Sequence, residues 1–349
     1  MRPLPEPYEE RVLRLSQRSV TKHFDAYADI AWDAPALSID AEDPRWECSA
    51  EDPLGRTEWY AALPQPMRAR LGLHLVVMQM KTGAFFENVL SRGLLEFATT
   101  LDETAPELRY AYHELIEESQ HTLMFQEFIR RSGLEAPGPS LWERVMSRRV
   151  AALGRHFPEL FFLFVLGGEA PIDRLQRRLL ERRTALHPLL RRVMQIHVTE
   201  EARHVSFAET FLRQQIPRLG VARRFRLSVS VPFILSDLAA RMLVPPPFIV
   251  RRYDIPGRVV RTAYREDAAH RQRVAEGLAP VSALCEELGL CRPPARLLWQ
   301  ALGLLSQAPP EHPAKLPARI PGVLGPVPQH WFGPRGAVSV EAAEERFCA

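Results

Sequence analysis

The chain is poor in cysteine and in lysine, and it has no long run of alternating apolar and polar residues. Only four of its 349 residues are cysteines, and they form no C-x-x-C pair. A chain so long and so poor in cysteine is not a disulfide scaffold, and a reducing cytoplasm is the expected location. Lysine occurs at three positions against a large excess of arginine, which we interpret as codon bias rather than function.

A strong net charge and a hydrophobic leader are also missing. The formal net charge is only +3, so nothing requires a nucleic-acid partner. The first 15 residues lack the apolar core of a signal peptide. The most apolar stretch, Phe225 to Val250, is interrupted by Arg226, Asp237 and Arg241 and by three prolines. It predicts a buried helix rather than a membrane span, so we expect no membrane partner.

Apolar residues recur every three to four positions from about Pro66 onward, which predicts helices. Prolines lie near several proposed helix starts, where a missing N–H costs little, and glycines lie at breaks. Because strand-like alternation is missing, the predicted class is all-α. The five predicted helices cover residues 66–98, 104–132, 157–187, 189–215 and 221–244.

The pattern changes along the chain and predicts four segments. The first has weak periodicity and is expected to wrap the core; the last is rich in proline and glycine, which indicates an extended, irregular tail. The predicted segments are an N-terminal wrapping segment (1–60), a helical bundle (61–250), additional helices (251–307) and a Pro-rich C-terminal tail (308–349).

Seven Glu and His side chains have the spacing of a dinuclear metal site. Two glutamates stand alone in helix-like segments, and each is followed by a Glu-x-x-His motif. One more histidine precedes the second motif. In chain order the seven are Glu87, Glu118, His121, Glu169, His197, Glu201 and His204. Two lone glutamates and two Glu-x-x-His motifs are the ligand pattern of carboxylate-bridged di-iron proteins.

Helix periodicity explains these spacings. Residues three or four apart share a helix face, so each motif projects its side chains together. There are 31 residues from Glu87 to Glu118 and 32 from Glu169 to Glu201. Each separation is long enough for the chain to run along one helix and return along a second, antiparallel one. Two helix hairpins would therefore place all seven side chains inside a four-helix bundle.

Charge balance favours iron at this site. Four carboxylates neutralise two divalent cations, and without metal their burial would be very costly. Mixed carboxylate and imidazole ligands suit iron or manganese better than zinc or calcium. Glu117 and Glu200 each precede a motif glutamate, and we expect them to accept hydrogen bonds from histidine N–H groups. Arg203 is placed to pair with such a carboxylate.

Two alternatives concern the identity of the site. The Glu and His residues could be surface residues of amphipathic helices, but neighbours such as Leu123 and Phe125 predict segments that face the core. Glu96 could replace Glu87, although it precedes the first motif by only 22 residues, a short distance for a helix hairpin.

Further interpretations stay open for individual residues. Glu114, one turn before Glu118, either faces the site or forms a solvated salt bridge. Pro171 marks either a helix boundary or a local distortion beside Glu169. The remaining histidines considered are expected to be ordinary surface or helix-capping residues: His74, His113, His156 and His187.

The array over about residues 66–245 resembles the AurF-like di-iron oxygenases, whose founding activity is N-oxygenation of p-aminobenzoate. The third histidine, His197, distinguishes the ligand set of this family from those of acyl-carrier desaturases and ferritin-like proteins, which usually have one histidine for each Glu-x-x-His motif. The resemblance implies a homodimeric, ferritin-like helical bundle with two iron ions bridged by oxygen or peroxide. It also implies O2 as co-substrate, an external electron donor and an amine substrate from specialised metabolism.

The resemblance also implies roles for the seven residues. Glu118 and Glu201 would bridge the two irons, and His121 would bind one of them. The terminal carboxylates would be Glu87 and Glu169, and His197 and His204 would bind the second iron. No catalytic residue beyond the metal ligands is expected.

Three functions compete at this point. The first is oxygen transfer to an arylamine-like nitrogen. The second is C–H hydroxylation or desaturation of a free or carrier-bound substrate. The third, a non-catalytic metal-binding helical protein, is disfavoured because the extra histidine makes a crowded, closed ligand set.

Overall fold

A computed structural model describes residues 6–49, 51–181 and 186–304, and this part of the chain contains helices and no strand. The all-α prediction is confirmed. The helices are α1 (Tyr8–Thr21), α2 (Glu58–Ala61), α3 (Gln65–Ala98), α4 (Pro106–Ser132), α5 (Leu141–His156), α6 (Pro158–Glu181), α7 (Pro188–Gln215), α8 (Val221–Met242), α9 (Pro247–Arg252), α10 (Gly257–Arg261), α11 (Ala268–Glu287) and α12 (Ala295–Ala301). The Pro-rich tail lies outside the described residues.

The five predicted helices correspond to α3, α4, α6, α7 and α8, whereas α1 and α5 were not predicted. Helix α5 has a clear start signal, because the Ser140 hydroxyl accepts the Glu143 N–H and the Glu143 carboxylate accepts the Ser140 N–H. The helix itself is rich in arginine, and the few side chains that it buries are small, such as Ala151. It packs against α3 so closely that a methyl group at Gly154 would overlap the backbone of that helix.

Two helix pairs form the centre of the fold. Helix α3 packs along α4, and α6 packs along α7. The two helices of each pair follow each other closely in the chain, which is typical of a helix hairpin. Helices α8 and α11 cover α6, and α1 lies against α4 and α7. The result is a four-helix core with an outer layer of shorter helices.

The flanking segments share hydrophobic clusters with the central helices. Val12 of α1 and Trp299 of α12 belong to the same cluster as the phenylalanines of α6 and α7. A second cluster joins Trp32 and Trp46 of the N-terminal segment to residues of α3, α4 and α7. Burying such large apolar side chains is the main free energy gain of folding, so these segments contribute to the stability of the bundle.

Helix α6 continues through Pro171, so the helix-boundary interpretation is wrong. The two glycines before Glu169 serve close packing instead. A methyl group at Gly168 would overlap the ring of Phe86, and one at Gly167 would approach the Leu235 side chain. These contacts fix the position of α6 beside α3 and α8.

Helix α8 is buried on one face only. Leu227, Val231 and Leu235 lie in the core, but only 28% of the most apolar 18-residue window between Val221 and Arg252 is buried. By length and composition this stretch would also be sufficient to cross a membrane. The helix that was expected to be buried is therefore buried on one face only.

Three individual predictions need correction or refinement. His74 is buried, not a surface or capping residue: its ring nitrogens lie 3.0 Å from the Tyr253 hydroxyl and 2.7 Å from the Glu135 carbonyl oxygen. His187 does cap a helix, because its Nδ1 accepts the Leu189 N–H at the start of α7. Leu123, expected to face the core, is 38% exposed.

Candidate metal centre

The four central helices bring the seven predicted residues into one buried cluster. Helix α3 carries the first lone glutamate, α4 the first Glu-x-x-His motif, α6 the second lone glutamate, and α7 the three remaining residues. Each side chain is at most 3% exposed: Glu87, Glu118, His121, Glu169, His197, Glu201 and His204. Glu87 rather than Glu96 belongs to this cluster, since Glu96 lies more than two turns further along α3.

Glu118 and Glu201 lie between two histidines. The Nδ1 atom of His204 is 3.1 Å from Oε1 of Glu118 and 3.1 Å from Oε1 of Glu201. The Nδ1 atom of His121 is 3.3 Å from Oε2 of Glu118 and 3.6 Å from Oε1 of Glu201. Each of these carboxylates therefore reaches both histidines, as a ligand shared by two ions must.

His197 lies among the lone glutamates. Its Nε2 atom is 3.5 Å from Oε1 of Glu87 and 3.8 Å from Oε1 of Glu201. Ligand atoms lie within 4.8 Å of one another in two groups that include it, one with Glu87 and His121 and one with Glu169 and Glu201. The geometry offers His197 to either ion, so its assignment to the same iron as His204 stays a prediction.

Two outer carboxylates orient the motif histidines in a crossed arrangement. Glu200 on α7 lies 3.0 Å from Nε2 of His121 on α4, and Glu117 on α4 lies 2.8 Å from Nε2 of His204 on α7. Arg203 donates to both carboxylates, at 2.7 Å to Glu117 and 3.4 Å to Glu200. A carboxylate can only accept here, so each Nε2 carries the hydrogen and each Nδ1 faces the inner glutamates.

The N-terminal segment takes part in this outer layer, which the sequence did not indicate. The Phe24 N–H donates to Oε1 of Glu200 at 3.1 Å, and the Ala26 N–H donates to Gln120 of α4 at 2.8 Å. Backbone donors have no residue-type signal, and therefore no sequence pattern could have identified them.

The two lone glutamates favour the protonated form in the metal-free site. Burial, and then the charge of Glu118, raise the pKa of Glu87 well above its usual value. Burial and the charge of Glu201 do the same to the pKa of Glu169. Burial lowers the pKa of His197 to about 4, so that imidazole is neutral. In all three groups burial is the largest cause of the shift, because it removes the charged form from water.

The motif residues pair as ions instead. Burial opposes charge on Glu118, but the charge of His204 and hydrogen bonds from both histidines hold its pKa well below the usual range. Burial likewise opposes a cationic His121, but hydrogen bonds to Glu118 and Glu200 raise its pKa to about 10. The pKa of His204 is also raised well above its usual value, where the charges of Glu201 and Glu118 outweigh burial. Protons thus neutralise the carboxylates that metal ions would otherwise neutralise.

The residues fit a pair of metal ions. Oε2 of Glu87 and Oε2 of Glu201 are buried without a hydrogen-bond partner among the described residues. Once the outer carboxylates hold the histidine N–H groups, the inner Nδ1 lone pairs face carboxylate oxygens at 3.1–3.6 Å. Acceptors that face one another in a buried site require a proton or a cation between them.

We expect two divalent ions to displace about four protons from the metal-free protein near pH 7, from Glu87, Glu169, His121 and His204. All four have raised pKa values, so they hold protons at neutral pH that the metal must remove. Metal affinity should therefore increase as the pH rises. Anaerobic calorimetric titration with Fe²⁺ in buffers of different ionisation enthalpy measures the release. Binding with no proton release would contradict the expected protonation.

The fold and the cluster together define a ferritin-like helical bundle with a buried carboxylate and imidazole centre. The model of the p-aminobenzoate N-oxygenase AurF family matches residues 5–289. The chain therefore belongs to this family of di-iron oxygenases, and the match extends well beyond residues 66–245, over α1 and α11. The family assignment made from the sequence is confirmed.

Similar proteins do not specify the reaction further. The chain is 38% identical over 293 residues to uncharacterized proteins of Mycobacterium bovis and Mycobacterium tuberculosis, across 84% of this chain and 86% of theirs. No solved structure matches the chain.

Proposed function

We propose that the protein is an O2-dependent di-iron monooxygenase that transfers oxygen to the nitrogen of an arylamine-like substrate. The observation that carries this proposal is the third histidine. His197 joins Glu87 and His121 in one group of ligand atoms and Glu169 and Glu201 in another. A third histidine is what the resemblance to the N-oxygenases implies. The alternative, oxidation at carbon, uses the same kind of centre but has no feature of its own among the described residues.

The seven buried residues would hold the two irons. Glu118 and Glu201 would bridge them because each reaches both motif histidines, and Glu87 and Glu169 would be terminal ligands. When bound, the irons would supply the activation of O2, which protein side chains cannot perform alone. Glu117 and Glu200 would keep the Nδ1 atoms of the motif histidines directed at the metals.

Aromatic rings around the centre support an aromatic substrate. The Phe125 ring centroid is 5.5 Å from that of His197 and 6.3 Å from that of His121. Phe86, next to Glu87 in the chain, stacks on Phe164 at 5.2 Å. Apolar and aromatic side chains beside a site exclude water and favour a flat, largely apolar ligand. A small arylamine meets this requirement better than a strongly hydrated amine does.

The proposal includes the cellular setting. Cys48, Cys285 and Cys291 are free thiols in the structure, which suits a cytoplasmic protein. The electrons that reduce the irons would come from a separate donor, as the family resemblance implies. A homodimer, as the family resemblance implies, completes the proposal.

The test is a product analysis. Protein reduced in the presence of Fe²⁺ is mixed with isotopically labelled O2 and a panel of aromatic amines, aliphatic amines and carrier-bound acyl groups. We expect the label in hydroxylamine, nitroso or nitro products of the aromatic amines, and none from metal-free protein. Label found only at carbon, or only in a carrier-bound acyl group, would favour the hydroxylase alternative.

A further inference from the structure

Glu114 is a buried carboxylate that none of the assigned ligand roles uses. It lies on α4 one turn before Glu118, and a spacing of four residues places both on one helix face. Its side chain is only 1% exposed, which rules out the solvated salt bridge that the sequence left open. Its Oε2 atom is buried and has no hydrogen-bond partner among the described residues.

The orphaned carboxylate is directed toward the metal centre. Ligand atoms of Glu114, Glu118 and His204 all lie within 4.8 Å of one another, the separation expected of three ligands of one ion. A buried carboxylate oxygen without a donor is unfavourable, and a neighbouring cation would compensate for its lost hydration.

A structural role explains Glu114 less well. The Tyr110 hydroxyl, one turn further toward the start of α4, is also fully buried and has no hydrogen-bond partner among the described residues. If Glu114 served only to satisfy its neighbours, these two groups would be bonded to each other. Oε2 of Glu114 and the Tyr110 hydroxyl are not bonded to each other, so such a pairing does not account for this carboxylate.

We propose that Glu114 is an eighth ligand of the centre and coordinates the ion that Glu118 and His204 hold. This inference rests on the dinuclear site of the proposed function. Glu114 adds a fifth carboxylate to the inner four, so two divalent ions would leave one negative charge uncompensated. The extra charge favours trivalent over divalent iron, and the oxidised pair becomes harder to reduce.

The test compares Glu114→Gln with the parent by anaerobic titration of the metal-free, full-length protein with Fe²⁺. We expect the parent to bind two ions. In Glu114→Gln the dissociation constant of one ion should rise at least about tenfold, and the Mössbauer signal of one iron should change. The reduction potential should rise. Removing an unpartnered buried carboxylate should not lower the melting temperature of the metal-free protein.

Tyr110→Phe is the matched control, since it alters the neighbouring hydroxyl and leaves every carboxylate in place. It should bind both ions with the affinity of the parent. If Glu114→Gln gives no soluble protein, Glu114→Asp, which withdraws the carboxylate by one methylene, should show the same weakened binding.

The outcomes separate the two proposals. Suppose that the parent binds two ions and that the Glu114 variant has unchanged affinity and unchanged Mössbauer signals. This result would overturn the assignment of Glu114 as a ligand and leave the proposed function standing. A parent that binds no iron would overturn both.

Discussion

Replacing Glu201 by glutamine should reduce the iron content from two ions per chain to one or none and abolish O2-dependent turnover. Oε1 of Glu201 lies within 3.1–3.8 Å of a ring nitrogen of all three histidines of the cluster. The substitution keeps the shape of the side chain but removes the charge that two cations would share. Loss of an outer partner typically weakens metal binding 10–100-fold, so loss of a shared ligand should cost more than about a hundredfold.

Glu209→Gln provides the control for this substitution. Glu209 lies two turns further along α7, and its carboxylate binds Arg213 on the outer side of the helix. This variant should retain two irons and the parental turnover. Elemental analysis and oxygen uptake measure both properties. Two tightly bound irons in Glu201→Gln would contradict the shared-ligand role.

Replacing Arg203 by methionine should lower the free energy of unfolding by about 3–5 kcal/mol, because the variant leaves two buried carboxylates without their common cation. Arg203 is only 6% exposed, and its guanidinium bonds to Glu117 and Glu200. These carboxylates orient the two motif histidines, so iron affinity should also fall, by about 10–100-fold. Urea denaturation and anaerobic Fe²⁺ titration measure the two effects.

Arg213→Met is the matched control on the same helix. Arg213 binds Glu209 and Glu287, but its side chain is 40% exposed, so its loss should cost less than about 1 kcal/mol. Equal stability losses in the two variants would show that Arg203 contributes no more than a surface ion pair. Unchanged iron affinity in Arg203→Met would contradict its role in orienting the histidines.

Much of the centre could be predicted from the sequence because the spacing of residues along one helix determines which side chains share a face. A Glu-x-x-His motif on a helix places both side chains on one face whatever surrounds it. The separation between a lone glutamate and its motif equals one helix hairpin, so Glu87 and Glu169 could be matched to their partners before the bundle was known. The crossed hydrogen bonds of Glu117 and Glu200 were harder to predict from the sequence. Their positions next to the motif glutamates indicate that they belong to the outer layer, but not which histidine each of them contacts.

Other features follow only from the tertiary structure. Phe24 contributes a backbone N–H to Glu200 from a segment 176 residues away in the chain, and a backbone group carries no sequence signal. The two interpretations of Glu114 differ only in whether its face of α4 points to solvent or to the centre. The packing of α4 against α7 buries that face. His74 could not be distinguished from a surface histidine until Tyr253 was found beside it. Spacing along a helix thus determined which residues meet, while the packing of helices determined what each of them contacts.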